Sequence, residues 1–397
     1  MSDSNRALEG VTVVALEHAV AAPLATRQLA DLGARVIKVE RPGVGDFARG
    51  YDRRARGLSS HFVWCNRGKQ SLTLDLKRPA AAALLRRLVL EQADVLVQNL
   101  APGATDRLGL SHAALAPHKP SLIVCDISGY GADGPDRDRK AYDLLIQSEA
   151  GFLSVTGQPD APAKAGVAIA DIAAGVTAHA RILAALLQRH RSGRGRRIDV
   201  SMLESLAEWM GFPLYYAIDG SDAPPRRGAG HATIVPYGPF ATGDGAQTML
   251  GVQNEREWRA FCTVVLEQPA LADDPRFDGN ANRDRHRDAL HAIIEATFAA
   301  LDAAALRTRL DAAKIANAQV RDMAGLWAHP QLAARGRWRD TPSPVGPIPG
   351  WLPAGFDADE LPDGEGVPAL GQHTEPILRE LGLDDGAIAA LRADGSV

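Results

Sequence analysis

The chain has 397 residues, 46% hydrophobic and 23% charged, the balance of a folded globular protein with room for about two or three domains. A formal net charge of −4 gives no global field for nucleic acid or an anionic membrane surface. Residues 1–10 lack the apolar core of an export signal and no stretch approaches 18 uninterrupted apolar residues, so a cytoplasmic protein without a membrane segment is expected.

In the first half, short apolar runs alternate with helical patterns. Residues 11–16 (VTVVAL) read as a buried strand, and Pro23 opens a helix to Leu32 that Gly33 stops. Residues 36–40 and 71–76 are the next strands, and Pro79 starts a helix running to about Glu91. Residues 94–98 and 122–128 (LIVCDIS) are further strands. Strands separated by helices of this length imply a Rossmann-like, mostly parallel sheet covered on both faces. Asp171 then leads an Ala-rich helix over 172–191, which Ser192-Gly193 ends. A basic turn at 191–197 precedes a strand at 198–202 and a helix to about Tyr216.

The Gly/Pro-rich stretch 220–239 reads as a linker carrying a functional loop. Residues 240–252 form a hairpin about Gly243-Asp244-Gly245, and helices follow at 255–266, 284–299 and 303–313. Residues 341–368 have no periodicity, and helices near 374–381 and 385–392 return to the first domain. The expected organisation is an α/β large domain built from 1–204 together with a C-terminal return over 331–397. A smaller α+β domain spans 221–330.

Cys65, Cys125 and Cys262 are odd in number and lack metal spacing, so buried reduced thiols are expected. Residues 129–134 (GYGADG) match GxGxxG, but the following PDRDR cannot open the apolar crossover helix that a dinucleotide site needs. No nucleophile elbow, HExxH pair or P-loop occurs, and the eleven histidines suggest no metal site. Asp171 is the residue with chemical promise. An aspartate at a helix start is either an N-cap or, set after the small apolar run 166–170, an anion poised for nucleophilic work. The helix would also offer spare N–H groups as oxyanion donors. Spacing alone leaves both readings open.

Several segments in order carry a resemblance: Leu8-Glu9-Gly10-Val11-Thr12-Val13-Val14, 32–40 (LGARVIKVE), Gly45-Asp46 and 68–77 (GKQSLTLDLK). Asn99-Leu100-Ala101-Pro102-Gly103, Arg107-Leu108-Gly109, Ser128-Gly129-Tyr130-Gly131 and Gly193-Arg194-Gly195 extend it. The chain resembles the family III CoA-transferases, which include formyl-CoA:oxalate and carnitine CoA-transferases and α-methylacyl-CoA racemases. The resemblance implies that Asp171 is the catalytic nucleophile, forming an aspartyl anhydride and then an aspartyl-CoA thioester. It places CoA contacts at Arg41, Leu74, Lys77, Asn99, Leu100, Arg107 and Lys140, with CoA thioesters as substrates and no permanently bound cofactor. It implies substrate contacts at His18, Val20, Tyr142 and His231, and an interlocked, ring-like homodimer.

Where racemases of the family carry Gly-His-Asp, this chain has Ala141-Tyr142-Asp143, and a Tyr with a pKa of about 10 is a poor proton-transferring base. Transfer is therefore expected over racemisation, and CoA binding without catalysis stands as a third alternative. The chain is most similar to transferases acting on itaconate, mesaconate or citramalate with succinyl-CoA as donor. A second carboxylate needs a cation, for which Arg49, Arg53, His231 and Arg256 are candidates. The loop over 226–239 is the candidate cover of the site.

Overall fold

The computed structural model describes residues 6–356 and 366–397. It divides into two compact units: Met1–Ala150, Ala165–Gly211 and Gln331–Val397 form the first, Gly151–Lys164 and Phe212–Pro330 the second.

The first unit is built on six parallel strands: β1 (Thr12–Leu16), β2 (Arg35–Glu40), β3 (Lys69–Thr73), β4 (Val95–Gln98), β5 (Ile123–Ser128) and β6 (Arg197–Ser201). Their order across the sheet is β3-β2-β1-β4-β5-β6. From β1 the chain winds outward to β3, then returns to the other side of β1 for β4. That reversal opens a crevice at the carboxyl ends of β1 and β4, where ligands of such sheets bind. Val13, Val14, Val36, Ile37, Leu96, Val97 and Val124 are fully buried, as expected of parallel strands covered on both faces.

Five helices matter to the site: α1 (Ala21–Asp31), α2 (Pro79–Gln92), α3 (Asp143–Glu149), α4 (Ile169–Ser192) and α5 (Met202–Trp209). Two helix starts fall earlier than Pro and Asp signals suggested. Helix α1 begins two residues before Pro23, whose missing N–H costs nothing in a first turn. Helix α4 has Ala168 at its cap, so Asp171 lies inside the first turn. Gly193 ends α4 in the left-handed conformation at φ +67. With a mean hydropathy of 1.4 over its apolar window, α4 is long and apolar enough to cross a bilayer. Its fully buried Ala173, Ala174, Ala178 and Ile182 belong to the unit's interior.

Strand β3 starts at Lys69 because that lysine is buried, a placement its polarity hid. Trp338–Thr341, which leads into the segment without periodicity at 341–368, pairs antiparallel with Ile348–Trp351 inside it. Part of that segment, 357–365, lies outside the described residues. Helices α6 (Thr374–Glu380) and α7 (Asp385–Ala393) close the unit. Their Ile377, Leu378, Leu381 and Ile388 share one core with Leu72, Leu85 and Leu88. Thr374 Oγ1 accepts the Thr73 N–H at 3.0 Å, and His373 Nδ1 the Ser71 N–H at 3.1 Å.

In the second unit Tyr237–Ala241 and Gln247–Gly251 form the expected hairpin, and Ala316–Gln319 adds a third antiparallel strand. Its core gathers Trp258, Phe261, Phe277, Leu290 and Phe298.

The C-terminal helices supply core rather than decoration. Leu378→Ala should lower the stability of the first unit by about 2–5 kcal/mol, read as a lower urea midpoint at unchanged slope. A midpoint equal to the parent's would show that α6 is dispensable.

Candidate active site

The first turn of α4 has a cap, but Asp171 does not supply it. Asp143 Oδ1, from the start of α3, accepts the N–H of Ala170 at 2.8 Å and of Asp171 at 3.3 Å. Its other oxygen takes Nε2 of buried Gln147 at 2.6 Å. Ile169 and Ile172 donate to the carbonyls of Val167 and Ala168. The spare donors expected at this helix start are therefore occupied. The Asp171 carboxylate, half-buried, accepts no hydrogen bond among the described residues. Burial, with the Asp143 charge second, pushes its pKa up to about 7.

A second helix start is open. The N–H groups of Val20, Ala21 and Ala22 have no hydrogen-bond partner among the described residues, and α1 lacks a side-chain cap. The two helix starts meet because of Gly175, four residues beyond Asp171. A Cβ there would stand 2.7 Å from the Ala21 carbonyl oxygen and 3.3 Å from Leu24 Cβ, so only glycine permits this approach. Val20 is buried with Leu24 and Cys65, and Ile172 packs on the same cluster. Val20 can therefore face a ligand through its backbone alone.

Buried charges brace the loop leading into α1. Lys38 Nζ lies 2.8 Å from Asp46 Oδ2 and 3.4 Å from Glu17 Oε1, and Lys69 Nζ 2.6 Å from Glu17 Oε1, with all four side chains at 0% exposure. Burial draws the Lys69 pKa down to about 8 against the pull of Glu17. Burial would raise Asp46, but Lys38 and its hydrogen bonds hold it well below the carboxylate range. Asp46 Oδ1 accepts the N–H of Ala19, a residue at φ +61. The Asn99 side chain clamps the His18 backbone, its Oδ1 taking the N–H and its Nδ2 donating to the carbonyl, both at 2.9 Å. That engagement leaves Asn99 its backbone for any CoA contact.

Sequence reasoning missed a partly exposed aromatic row around His18. His18 stacks on Phe47 (5.2 Å between centroids), Phe47 meets Tyr51 (5.8 Å), and Tyr51 meets His61 edge-on (5.3 Å). Burial, then the Asp46, Asp171 and Tyr142 charges, push the Tyr51 pKa up to about 12. Tyr142 is 69% exposed. Three aromatic or histidine rings within 15 residues of Gly45-Asp46 were the available signal.

Among the cation candidates, Arg49 is already engaged. It grips Glu40 through two 2.8 Å bonds and lies 3.7 Å over the Phe62 ring. Arg53 is exposed, with no side-chain partner among the described residues. Arg41 and Lys77, exposed, follow β2 and β3, and exposed Arg107 follows β4, so all three sit past the carboxyl edge of the sheet. Lys140 is also exposed. Leu74 is buried in the core and Leu100 lines a cavity of about 390 Å³ with Gln98, Asp126 and Asp199. His231 and Arg256 belong to the second unit. There His231 stacks on Tyr237 at 5.3 Å and accepts the N–H of Thr233 and Ile234 at Nδ1. The three cysteines are buried free thiols, and no helix opens after the GxGxxG match.

The family model for CoA-transferase family III matches residues 8–374. The chain is 34% identical over 400 residues to the succinyl-CoA:glutarate CoA-transferase of Mus musculus, covering 100% of this chain and 91% of that protein. It is 31% identical over 395 residues to the succinyl-CoA:mesaconate CoA-transferase of Haloarcula marismortui, covering 96% and 98%. The crystal structure of a CAIB/BAIF family protein from Brucella suis matches with a TM-score of 0.83 at 34% identity, over 94% of this chain and 99% of that one.

A raised Asp171 pKa has a stability signature. The folded state holds this proton more tightly, so the group's contribution is full below its ordinary value of 3.8 and is lost as pH rises through about 7. Asp171→Asn should melt close to the parent below pH 4 and above it at pH 8, in paired thermal melts. A pH-independent difference would refute the assigned environment.

Proposed function

Because the chain belongs to CoA-transferase family III, we propose that it moves coenzyme A from an acyl-CoA donor to a short carboxylic acid through a covalent intermediate on Asp171. One observation carries this reading: the capping duty that would explain an aspartate at the start of α4 is performed by Asp143. Asp171 is left half-buried, its carboxylate without a hydrogen bond among the described residues and unusually basic.

The ionised Asp171 carboxylate attacks the thioester carbonyl of the donor. The C–S bond breaks, giving a mixed anhydride and CoA thiolate. The thiolate attacks the Asp171 carbonyl of that anhydride, releasing the donor acid as its carboxylate and leaving an aspartyl-CoA thioester. The acceptor carboxylate runs the same two steps in reverse, and Asp171 returns as a free carboxylate. The covalent route conserves thioester energy that water would otherwise discharge. Each tetrahedral intermediate carries an oxyanion, and the open N–H groups of Val20, Ala21 and Ala22 are the donors suited to it.

Arg41, Lys77, Arg107 and Lys140 would hold the phosphates of CoA, with backbone contacts at Leu74, Asn99 and Leu100. The acids are short dicarboxylates, with succinyl-CoA as donor and a five-carbon diacid of the glutarate, mesaconate, itaconate or citramalate kind as acceptor. The names of the two relatives support this class. Arg53, exposed and without a side-chain partner among the described residues, is the cation we assign to the distal carboxylate. The working form is a cytoplasmic homodimer, for which exposed Trp209, Phe212, Leu214 and Tyr215 provide apolar surface.

Hydroxylamine added with succinyl-CoA should convert Asp171 to its hydroxamate, read by peptide mass spectrometry. Continued CoA exchange with Asp171 unmodified would remove the covalent route.

In a panel of acceptor acids, glutarate and its five-carbon analogues should form CoA esters well ahead of acetate and butyrate. Arg53→Ala should raise the KM for the diacid about tenfold, leaving that for succinate monoesters unchanged. Equal use of mono- and dicarboxylates would overturn the substrate class.

A further inference from the structure

The ring of His18 is restrained more heavily than its loop requires. Asn99 fixes its peptide from both sides, Phe47 stacks on its face at an interplanar angle of 22°, and its Nδ1 is buried without a hydrogen-bond partner. That nitrogen lies 3.8 Å from Oδ1 of Asp46, whose side chain has no exposure and is charged against Lys38. The His18 side chain keeps 23% of its surface, next to the open start of α1. A buried carboxylate beside one nitrogen of an imidazole selects the tautomer protonated there.

We propose that Asp46 is a positioning residue that acts through His18. It holds the imidazole with its proton on Nδ1 and leaves the lone pair of Nε2 toward the crevice. A ring so presented is an acceptor, and the donors an acyl-CoA brings to such a place are the secondary amide N–H groups of its pantetheine arm. His18 thereby registers that arm, and the thioester carbonyl, against Asp171. The contact of Asp46 with His18 tightens when the thioester fills the site, as polar contacts of unliganded sites commonly do. The inference rests on the covalent reading of Asp171 and adds which atom aligns the substrate to it.

The test is a double-mutant cycle of Asp46→Asn and His18→Ala, with kcat and KM measured separately for succinyl-CoA and for the acceptor acid. Each single change should lower kcat/KM for succinyl-CoA by about tenfold or more, leave the KM of the acid in place, and cost nothing further when combined. Multiplying losses would mean that Asp46 serves only the fold, and would overturn the proposal. Asp46→Asn strips a partner from buried Lys38, so an independent measurement guards against a variant that does not fold. In ¹⁵N-histidine spectra of the unsubstituted enzyme, the resonances absent from His18→Ala should report the proton on Nδ1; a proton on Nε2 overturns the assignment. Hydroxylamine trapping on the unsubstituted enzyme separates the two claims. Failure to modify Asp171 sinks the covalent reading, whereas a trapped Asp171 with an additive cycle sinks only the role of Asp46.

Discussion

Two carboxylates converge on one helix start, and the geometry can satisfy only one of them. Asp143 takes the Ala170 and Asp171 N–H groups, and with them the stabilisation that a helix terminus gives an anion, about 0.3–1 kcal/mol. Asp171 stands one residue further in, partly stripped of water and facing the charge of the first. The helix dipole alone would pull its pKa down; the value near 7 says that burial and like-charge repulsion prevail. A carboxylate held this way keeps its proton to higher pH than an ordinary aspartate does. The cap that would settle an aspartate at this position is taken by Asp143.

The floor under the neighbouring loop is made of charge where aliphatic side chains would be the simpler choice. Replacing a buried ion cluster by well-packed apolar groups is often neutral or stabilising, so Lys38, Lys69, Glu17 and Asp46 are not accounted for by stability. What they give is fixed direction. Pro23 O and Asn66 Oδ1 also accept from Lys69, Thr26 donates to Glu17, and Asp46 holds Ala19 in a conformation that non-glycine residues rarely adopt. The network binds the end of β1, the start of α1 and the turn after β2 into one rigid seat beside Asp171. Taking away a single member strands an uncompensated charge, which ties the geometry of the seat to the integrity of the whole cluster.

Legibility divided along the line between local and through-space order. Apolar runs and helix punctuation reported the parallel sheet, the hairpin at 240–252 and the C-terminal return, because burial on both faces writes itself into each strand. Asp171 stood out through the small apolar run before it and the family resemblance of its surroundings. The cap from Asp143 was invisible, since the two residues are 28 positions apart and meet only when α3 folds onto α4. Arg49 read as a free cation because nothing local announces its grip on Glu40. The ribbon of Trp338–Thr341 and Ile348–Trp351 escaped for its shortness and its prolines. Gly175 was visible all along: a glycine inside a long helix costs about 1 kcal/mol relative to alanine, and here the close approach of α1 is the reason for it.

The seam between β3 and the C-terminal helices also imposes an order of events on the ribosome. Thr73 waits for Thr374, 301 residues downstream. At typical elongation rates that interval is roughly 15–60 s. Throughout it, Leu72, Leu85 and Leu88 of the nascent chain lack the apolar partners that α6 and α7 bring. Residues 212–330 can meanwhile collapse around their own aromatic core, leaving the larger unit as a late-closing body with an uncovered flank. The protein is thus most exposed to misassociation while it is being made, and a slow final stretch of translation would prolong that exposure.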